Sequence, residues 1–480
     1  MTTSTAAPAS ATVAAGAPAS PGLTQAGLVT VLLGAALPII DFFIVNVALP
    51  TIDADLHAST ATLELVVAAY GIAYAVLLVL GGRLGDAFGR RRLFLLGLML
   101  FTVTSLACGL APDAGTLVLA RAAQGAASAM LLPQVLSIIQ AGTTGERRAR
   151  ALGMFGATGG ICTVVGQLLG GLLVAANLWG ASWRPIFLVN VPIGIAGLLL
   201  ARRTVPESRS SNPLGVDRWG TSLLAVSLLS LLIPLMEGRA LGWPWWTIAL
   251  LVLFPFTVYG FARVESRLER AGGSPLLPPA LLRTPSVRHG LTLAVPYFGV
   301  FGSFMFVYAV TLQSGLHLGP LGAGLALTPL AVAYFVTSLL TSRLVTRFGR
   351  KVVPTGGLIL TAGLVVLAVS TLLAWPDVSI WQLAPAMVLI GVGNGMTTSP
   401  LFRVVLSQVP ADLAGVGGGV LTTTQQTSLA LGVAVFGSLF ASLSVPGSVG
   451  YEGAFVLIIG LLAGLALLIS ALARKLPDPR

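Results

Sequence analysis

The sequence predicts an all-α integral membrane protein: two six-helix bundles plus two extra central transmembrane helices, fourteen spans in all. Three observations carry this. Only 9% of the 480 residues are charged and 55% are hydrophobic, whereas a soluble domain carries roughly a quarter charged residues; there is too little charge to cover a water-facing surface. Apolar runs of about 20 residues recur along nearly the whole chain, each long enough to cross a bilayer as a helix. And when these runs are threaded alternately through a membrane, the basic residues fall almost entirely on one side. Helices are favoured over a barrel because lipid cannot satisfy open backbone groups and no alternating strand pattern is present.

Residues 1–24 are rich in Ala, Ser, Thr, Pro and Gly and hold no Lys or Arg. They lack the basic start of a secretory signal and read as a short disordered tail. The spans follow at 26–50, 63–82, 93–111, 116–140, 151–176, 185–201, 219–236, 245–262, 290–313, 322–341, 353–374, 381–402, 416–442 and 453–473. A charged, then proline-rich segment over 263–289 reads as a linker. The chain thus divides into a first bundle (25–203), a linker region with two extra spans (204–289) and a second bundle (290–480).

With the connection after the second span placed in the cytoplasm, 24 of the 27 Lys and Arg residues fall on that side, Arg184 and Arg239 fall on the other, and Arg121 lies inside a span. Such asymmetry is the positive-inside signature and puts both termini in the cytoplasm. It also accounts for the net charge of +11 without nucleic acid. Cys108 and Cys162 sit inside apolar runs and offer neither metal-ligand spacing nor a disulfide framework. The preference for Arg over Lys points to a bacterial source.

The stretch Gly81-Gly82-Arg83-Leu84-Gly85-Asp86-Ala87-Phe88-Gly89-Arg90-Arg91-Arg92 is a basic, glycine-rich connection between spans two and three. A weaker copy, Arg343-Leu344 with Phe348-Gly349-Arg350-Lys351, recurs 260 positions later in the same register. Matched connections imply matched halves, the construction used by many transporters.

Asp41 is the only carboxylate deep inside a span. A charged Asp at a span centre costs about 3 kcal/mol, and such residues are usually functional. Arg121 is its natural partner, and Gln124, three residues on, shares its helix face. Burial disfavours an ionised carboxylate and a guanidinium favours it, so a proton or a cationic substrate would compete for one site. In span five, Gly156 and Gly160, and Gly166 and Gly170, have the spacing that lets helices approach closely. Tyr297, Phe301, Met305 and Tyr308 form a stripe suited to apolar ligands. Asn394, Gln425 and Gln426 are amides in apolar surroundings, able to donate and accept without charge. With Asn46, Tyr70 and Gln124, these residues make up the expected cavity, apart from Tyr308. Trp243, Trp245 and Trp246 at a span end read as an interfacial belt. No nucleotide-binding loop, catalytic cluster or metal-ligand set is visible, so the chain does not read as an enzyme, and energy for transport must come from an ion gradient or a partner.

These features together resemble the major facilitator superfamily, in its fourteen-span drug:proton antiporter branch, over residues 26–475. Gly82-Arg83-Leu84-Gly85-Asp86 with Gly89-Arg90-Arg91 resembles the superfamily signature between spans two and three. Asp41 with Val45-Asn46-Val47-Ala48-Leu49-Pro50 is similar to the branch's first-span motif, and Arg121-Ala122-Ala123-Gln124-Gly125 to its fourth-span motif. Trp183-Arg184 and Asn190-Val191-Pro192-Ile193-Gly194 resemble its entry to span six. The resemblance implies alternating access of two rocking bundles, Asp41 carrying a proton tuned by Arg121, and a gate formed by Gly82, Arg83, Gly85, Asp86, Gly89, Arg90 and Arg91. Two positions depart: in the helix-packing motif Gly166-Gln167-Leu168-Leu169-Gly170-Gly171, Gln167 stands where the branch has proline, and in span two Leu65 occupies the place of its tryptophan.

The expected activity is proton-coupled export of hydrophobic or monocationic small molecules such as drugs, dyes and antibiotics. A monomer in the cell membrane would need no cofactor beyond the proton gradient, and its partners would be its substrate and the bilayer, not nucleic acid. Two other readings stand beside it: a metabolite transporter of the same fold with different coupling, favoured by Gln167, and a non-transporting membrane receptor.

Overall fold

Long apolar runs must form helices in lipid, and the computed structural model describes them over residues 22–58, 60–209, 217–238, 241–273, 275–410, 413–444 and 448–476. Among these residues are fourteen helices of 15 residues or more. They are α1 (Gln25–Leu56), α2 (Thr60–Phe88), α3 (Arg90–Gly109), α4 (Ala114–Gly142), α5 (Gly145–Ala176), α6 (Asn190–Thr204) and α7 (Arg218–Glu237). Then come α8 (Trp245–Arg270), α9 (Pro285–Val310), α10 (Thr328–Phe348), α11 (Val352–Ala374), α12 (Ile380–Leu406), α13 (Ala414–Gly432) and α14 (Gly450–Ala473). Residues 1–21 of the expected tail lie outside the described residues. Its last residues are ordered: Leu23 is buried, its N–H donates to Gly142 O at 2.9 Å, and Thr24 caps α1 by accepting from Gly27 N at 3.0 Å.

Among the described residues twelve segments are long and apolar enough to cross a membrane, against the fourteen expected. The difference lies in the second half. One segment, Leu321–Ala374, has 54 residues and contains both α10 and α11, and α12 is not among the twelve. Polar side chains dilute the hydropathy of α12, yet Asn394, Thr397, Thr398 and Ser399 are all buried within the protein.

The two halves pack alike. In the first, α2 lies on α4, α3 on α4 and α6, and α1 on α5; in the second, α10 lies on α12, α11 on α12 and α14, and α9 on α13. The tightest crossings also match. A Cβ on Gly125 of α4 would lie 2.2 Å from Tyr70 O, and a Cβ on Gly391 of α12 would lie 2.3 Å from Leu330 O. Leu330 follows Tyr70 by 260 positions, the offset of the two basic motifs. Between the halves, α2 meets α13 and α5 meets α10 and α12. Helix α7 lies against α2 and α13, burying Leu228 and Leu232 beside Ala75, while α8 packs mainly on α7 and is otherwise exposed.

Candidate functional site

Asp41 and Arg121 meet in the interior of the first bundle, both with no exposed surface. Arg121 Nη1 donates to Asp41 Oδ2 at 2.5 Å and to Gln124 Oε1 at 2.7 Å, and Nε donates to Val66 O at 3.1 Å. Asp41 Oδ1 accepts from Gln124 Nε2 at 2.9 Å and Asn190 Nδ2 at 2.7 Å. Gln124 Nε2 also reaches Ser105 Oγ at 2.8 Å. The guanidinium carbon lies 4.3 Å from the centroid of the Tyr70 ring and 5.7 Å from that of Phe187. Four helices therefore converge on the pair: α1, α2, α4 and α6. The glycine seam of α5 backs it, since a Cβ at Gly166 or Gly170 would lie 2.7 Å from Ile40 O or 2.8 Å from Ile44 O, on either side of Asp41. Gln167 is half-buried in an unbroken helix; its carbonyl carbon and Leu168 face Gly324, and Gly171 faces Leu321.

A cavity opens between the two halves beside this pair, lined from the first by Phe42, Tyr70, Tyr74 and Phe155 and from the second by Tyr297, Phe298, Phe301, Tyr334 and Phe402. Thr163, Thr398, Thr422, Gln425 and Gln426 supply its hydrogen-bonding groups, and none of the described lining residues is charged. Of the expected cavity residues, Tyr70, Tyr297, Phe301, Gln425 and Gln426 line it. Three do not. Gln124 spends its amide on Asp41, Arg121 and Ser105. Asn394 lies one layer back, accepting from Tyr297 OH at 2.8 Å and donating to Ile390 O at 3.0 Å. Met305, one turn along α9 from Phe301, is buried in the apolar core and is not part of the cavity lining. Asn46 lies on α1, and its side chain is outside the described residues.

The expected gating connection is mostly helix. α2 continues through Phe88, and only Gly89, at φ +111°, separates it from α3. Three of the charges in this connection, Arg83, Asp86 and Arg90, are buried within the protein. Arg90 Nη2 donates to Asp86 Oδ1 at 2.8 Å with both side chains buried, and Arg83 Nε donates to Leu276 O at 3.0 Å. Gly85 fits because a Cβ there would strike Gln134 Oε1 at 1.8 Å, and buried Gly82 adjoins Gly81, whose carbonyl accepts from Gln134 Nε2 at 2.8 Å. Arg91 donates to Arg202 O and, from its backbone, to Glu207 Oε1 at 3.2 Å. In the second copy Gly349, φ +54°, breaks the chain at the matching place, but Arg343, Arg347 and Arg350 are exposed.

At the opposite ends of these helices, the entry motif to α6 ties down the end of α1: Arg184 Nη1 and Trp183 Nε1 donate to Asp55 Oδ2 at 2.6 and 2.9 Å. These bonds hold the Asp55 carboxyl below the usual carboxylate range. Asn190, two short turns later, belongs to the same motif, and the sequence signal for its part in binding Asp41 is an amide in an apolar run. Ser105, Tyr74 and Tyr334 gave no comparable signal.

The sequence matches the Major Facilitator Superfamily over residues 31–433 and 291–480. It is 36% identical over 415 residues to the probable actinorhodin transporter of Streptomyces coelicolor, covering 86% of this chain and 72% of that one. It is 35% identical over 463 residues to the cephamycin export protein CmcT of Amycolatopsis lactamdurans, covering 92% and 91%. The puromycin resistance protein pur8 of Streptomyces alboniger is 36% identical over 420 residues, covering 86% and 81%. Among solved structures, the human organic anion transporter MFSD10 superposes with a TM-score of 0.67 at 15% identity, covering 94% of this chain and 99% of that one. The proton:xylose symporter XylE gives 0.65 at 15% identity, covering 94% and 95%.

Proposed function

The chain belongs to the major facilitator superfamily, a family of membrane transporters, and from that premise we propose that it exports hydrophobic, aromatic small molecules in exchange for protons. The observation that carries this reading is Asp41: a carboxylate wholly buried, held by Arg121, Gln124 and Asn190, and lying one side chain away from an aromatic cavity whose described lining residues carry no charge. A carboxylate so placed is suited to exchanging one proton per cycle, because burial opposes its charge and Arg121 supports it. The cavity favours flat solutes that stack on rings and hydrogen-bond to hydroxyls and amides; a monocation would be met by ring faces rather than by an acid. The names of its relatives, an actinorhodin transporter, a cephamycin exporter and a puromycin resistance protein, support antibiotics or similar metabolites as substrates.

The same reading includes the fourteen-span topology of its drug:proton antiporter branch. A single helix crossing needs about 20 residues, so Leu321–Ala374 is long enough for two, and α12 runs as a full-length helix through the second bundle. With α7 and α8 between the bundles, both termini fall in the cytoplasm by the distribution of arginines. The first bundle then corresponds to 25–203 and the second to 290–480, the latter with α9 beginning slightly earlier at Pro285. The protein acts as a monomer.

The test is transport in proteoliposomes. An imposed pH gradient, acid on the side to which substrate is expelled, should drive net movement of Nile red or ethidium against its gradient by wild type and not by Asp41→Asn. Movement that ignores the pH gradient would replace antiport by uncoupled transport.

A further inference from the structure

Asp41 itself does not line the cavity, and neither does Arg121 or Gln124. Substrate and proton therefore do not meet at one carboxylate, and something must carry the presence of one to the other. We propose that Tyr70 is the positioning residue that couples substrate in the cavity to the Asp41–Arg121 pair. This rests on the antiport reading above and adds the route by which it works.

Tyr70 touches both sites and the helices that hold them. It forms part of the cavity wall together with Pro38, Phe42 and Tyr74. Its ring also backs the Arg121 guanidinium at 4.3 Å. Its hydroxyl donates to Pro38 O, at 3.0 Å, one turn before Asp41 on α1, and shares a 2.8 Å hydrogen bond with Ser128 on α4. Its backbone carbonyl abuts Gly125, where no side chain would fit, and Gly125 lies one turn from Arg121 and next to Gln124. A displacement of Tyr70 is thus passed directly to α4. Arg121 keeps one unbonded edge, for its Nη2 has no hydrogen-bond partner among the described residues, and the Tyr70 and Phe187 rings lie over its guanidinium carbon.

The titratable or charged groups around Asp41 are Arg121 on α4, Tyr70 on α2 and Cys108 on α3, the last bonded through Gln124. α6 contributes the neutral Asn190, and α5 contributes glycines. Among the described residues Arg121 is accordingly the one permanent charge that can favour the carboxylate. Substrate held in the cavity that Tyr70 helps to wall fixes the ring, the ring seats Arg121 on Asp41, and the neutral carboxyl loses its proton. The O–H bond breaks, its electron pair stays on the carboxylate paired with Arg121, and the proton passes to bulk solvent. Without substrate the ring relaxes, Arg121 loosens and Asp41 takes up a proton.

The experiment counts protons released per Nile red bound, in weakly buffered nanodiscs with protein-free discs as the blank. Four proteins are compared: wild type, Tyr70→Leu, Tyr70→Phe and Tyr74→Leu. Because the ratio counts only protein that binds, it is independent of the folded fraction. Tyr70→Leu should bind the dye but release roughly fivefold fewer protons per dye or less, the lower limit of ordinary site-to-site coupling, and its affinity should lose its pH dependence. Tyr70→Phe keeps the ring and should keep the ratio. Tyr74→Leu, which alters the cavity without touching Arg121, should weaken binding and keep the ratio. A Tyr70→Leu ratio equal to wild type, or a Tyr70→Phe ratio as low as that expected for Leu, overturns the coupling role of the ring while antiport stands. Should Tyr70→Leu fail to fold, the Phe and Tyr74→Leu results still decide: loss of coupling in either one overturns the proposal. Wild type that binds dye and releases no proton overturns antiport and coupling together, and wild type that binds no dye overturns the aromatic-substrate reading beneath both.

Discussion

Three donors converge on Asp41, and the charge they stabilise is confined to one half of the molecule. Arg121 lies four residues before Gly125, the glycine that meets Tyr70 O; four residues before its counterpart Gly391 stands Met387, fully buried and apolar. The second bundle thus shows what the same position holds when no ion pair is needed. Removing one partner of a buried pair costs about 3–5 kcal/mol, because the other charge is left uncompensated, whereas replacing both by apolar groups is often neutral or better. Asp41→Asn should therefore lower the melting temperature and abolish proton-driven export, and the double change Asp41→Asn with Arg121→Met should recover much of the stability and none of the transport. Thermal unfolding in detergent, read beside transport, checks this. A buried Asp and Arg were legible in the sequence because charge stands out in an apolar run. Amides do not declare their role in the same way. Gln124 and Asn394 serve bonds behind the cavity, Gln425 and Gln426 face it, and only the direction of each side chain decides. Met305 continues the stripe of Tyr297 and Phe301, but one turn of helix, about 5.4 Å, carries it from the cavity lining into the apolar core.

At the scale of helices, the basic connection between the second and third spans is a helix-to-helix junction. Alternation of apolar and charged segments locates it along the chain, but charge alone does not distinguish a solvated loop from a buried ion pair. Asp86 and Arg90 are instead buried together one turn apart, and the break falls on Gly89 alone. The physical requirement there is twofold: φ is +111°, and a Cβ would lie 2.8 Å from Glu207 Oε1. Gly89→Ala should cost about 1 kcal/mol or more through the backbone conformation alone. Gly85→Ala should cost about 1–3 kcal/mol, the usual range for forcing extra volume into a packed site, since Gln134 must give up its place 1.8 Å from the new Cβ. Unfolding midpoints of the two variants would show it. At the far ends of the helices, Asp55 joins α1 to the entry of α6. Its folded value is depressed by Arg184 and Trp183, so this tie is present at neutral pH and is lost as pH falls through that lowered value. Asp55→Asn should erase the acid-side part of the stability profile that this carboxylate supplies.

The whole molecule is two similar bundles joined by two similar contacts. α2 on α13 and α5 on α10 are counterparts, because α10 and α13 occupy in the second half the places of α2 and α5 in the first. The repeat was legible from two basic motifs 260 residues apart. The relation of the bundles to each other was not, since it depends on small residues whose partners are distant in sequence. Gly419 on α13 faces Val79, with 3.2 Å between its would-be Cβ and the Val79 Cα, and Gly418 faces Leu136 on α4. Gly160 on α5 leaves room for the Tyr334 ring, and Gly171 faces Leu321. The hairpin α7–α8 rests on the first of these seams, with Leu228 and Leu232 against Ala75 and Ala430 nearby, so opening that seam requires α7 to slide on both halves. Alternating access demands that the seam at Val79 and Gly419 separate once in every cycle. A disulfide between cysteines placed at those two positions should therefore slow export roughly tenfold or more, and a reductant should restore it. Cys108 and Cys162 are buried free thiols and would be replaced by alanine in the background. Full transport by the oxidised double-cysteine protein, with the cross-link verified by mass, would mean that this seam stays closed and that the bundles do not rock about it.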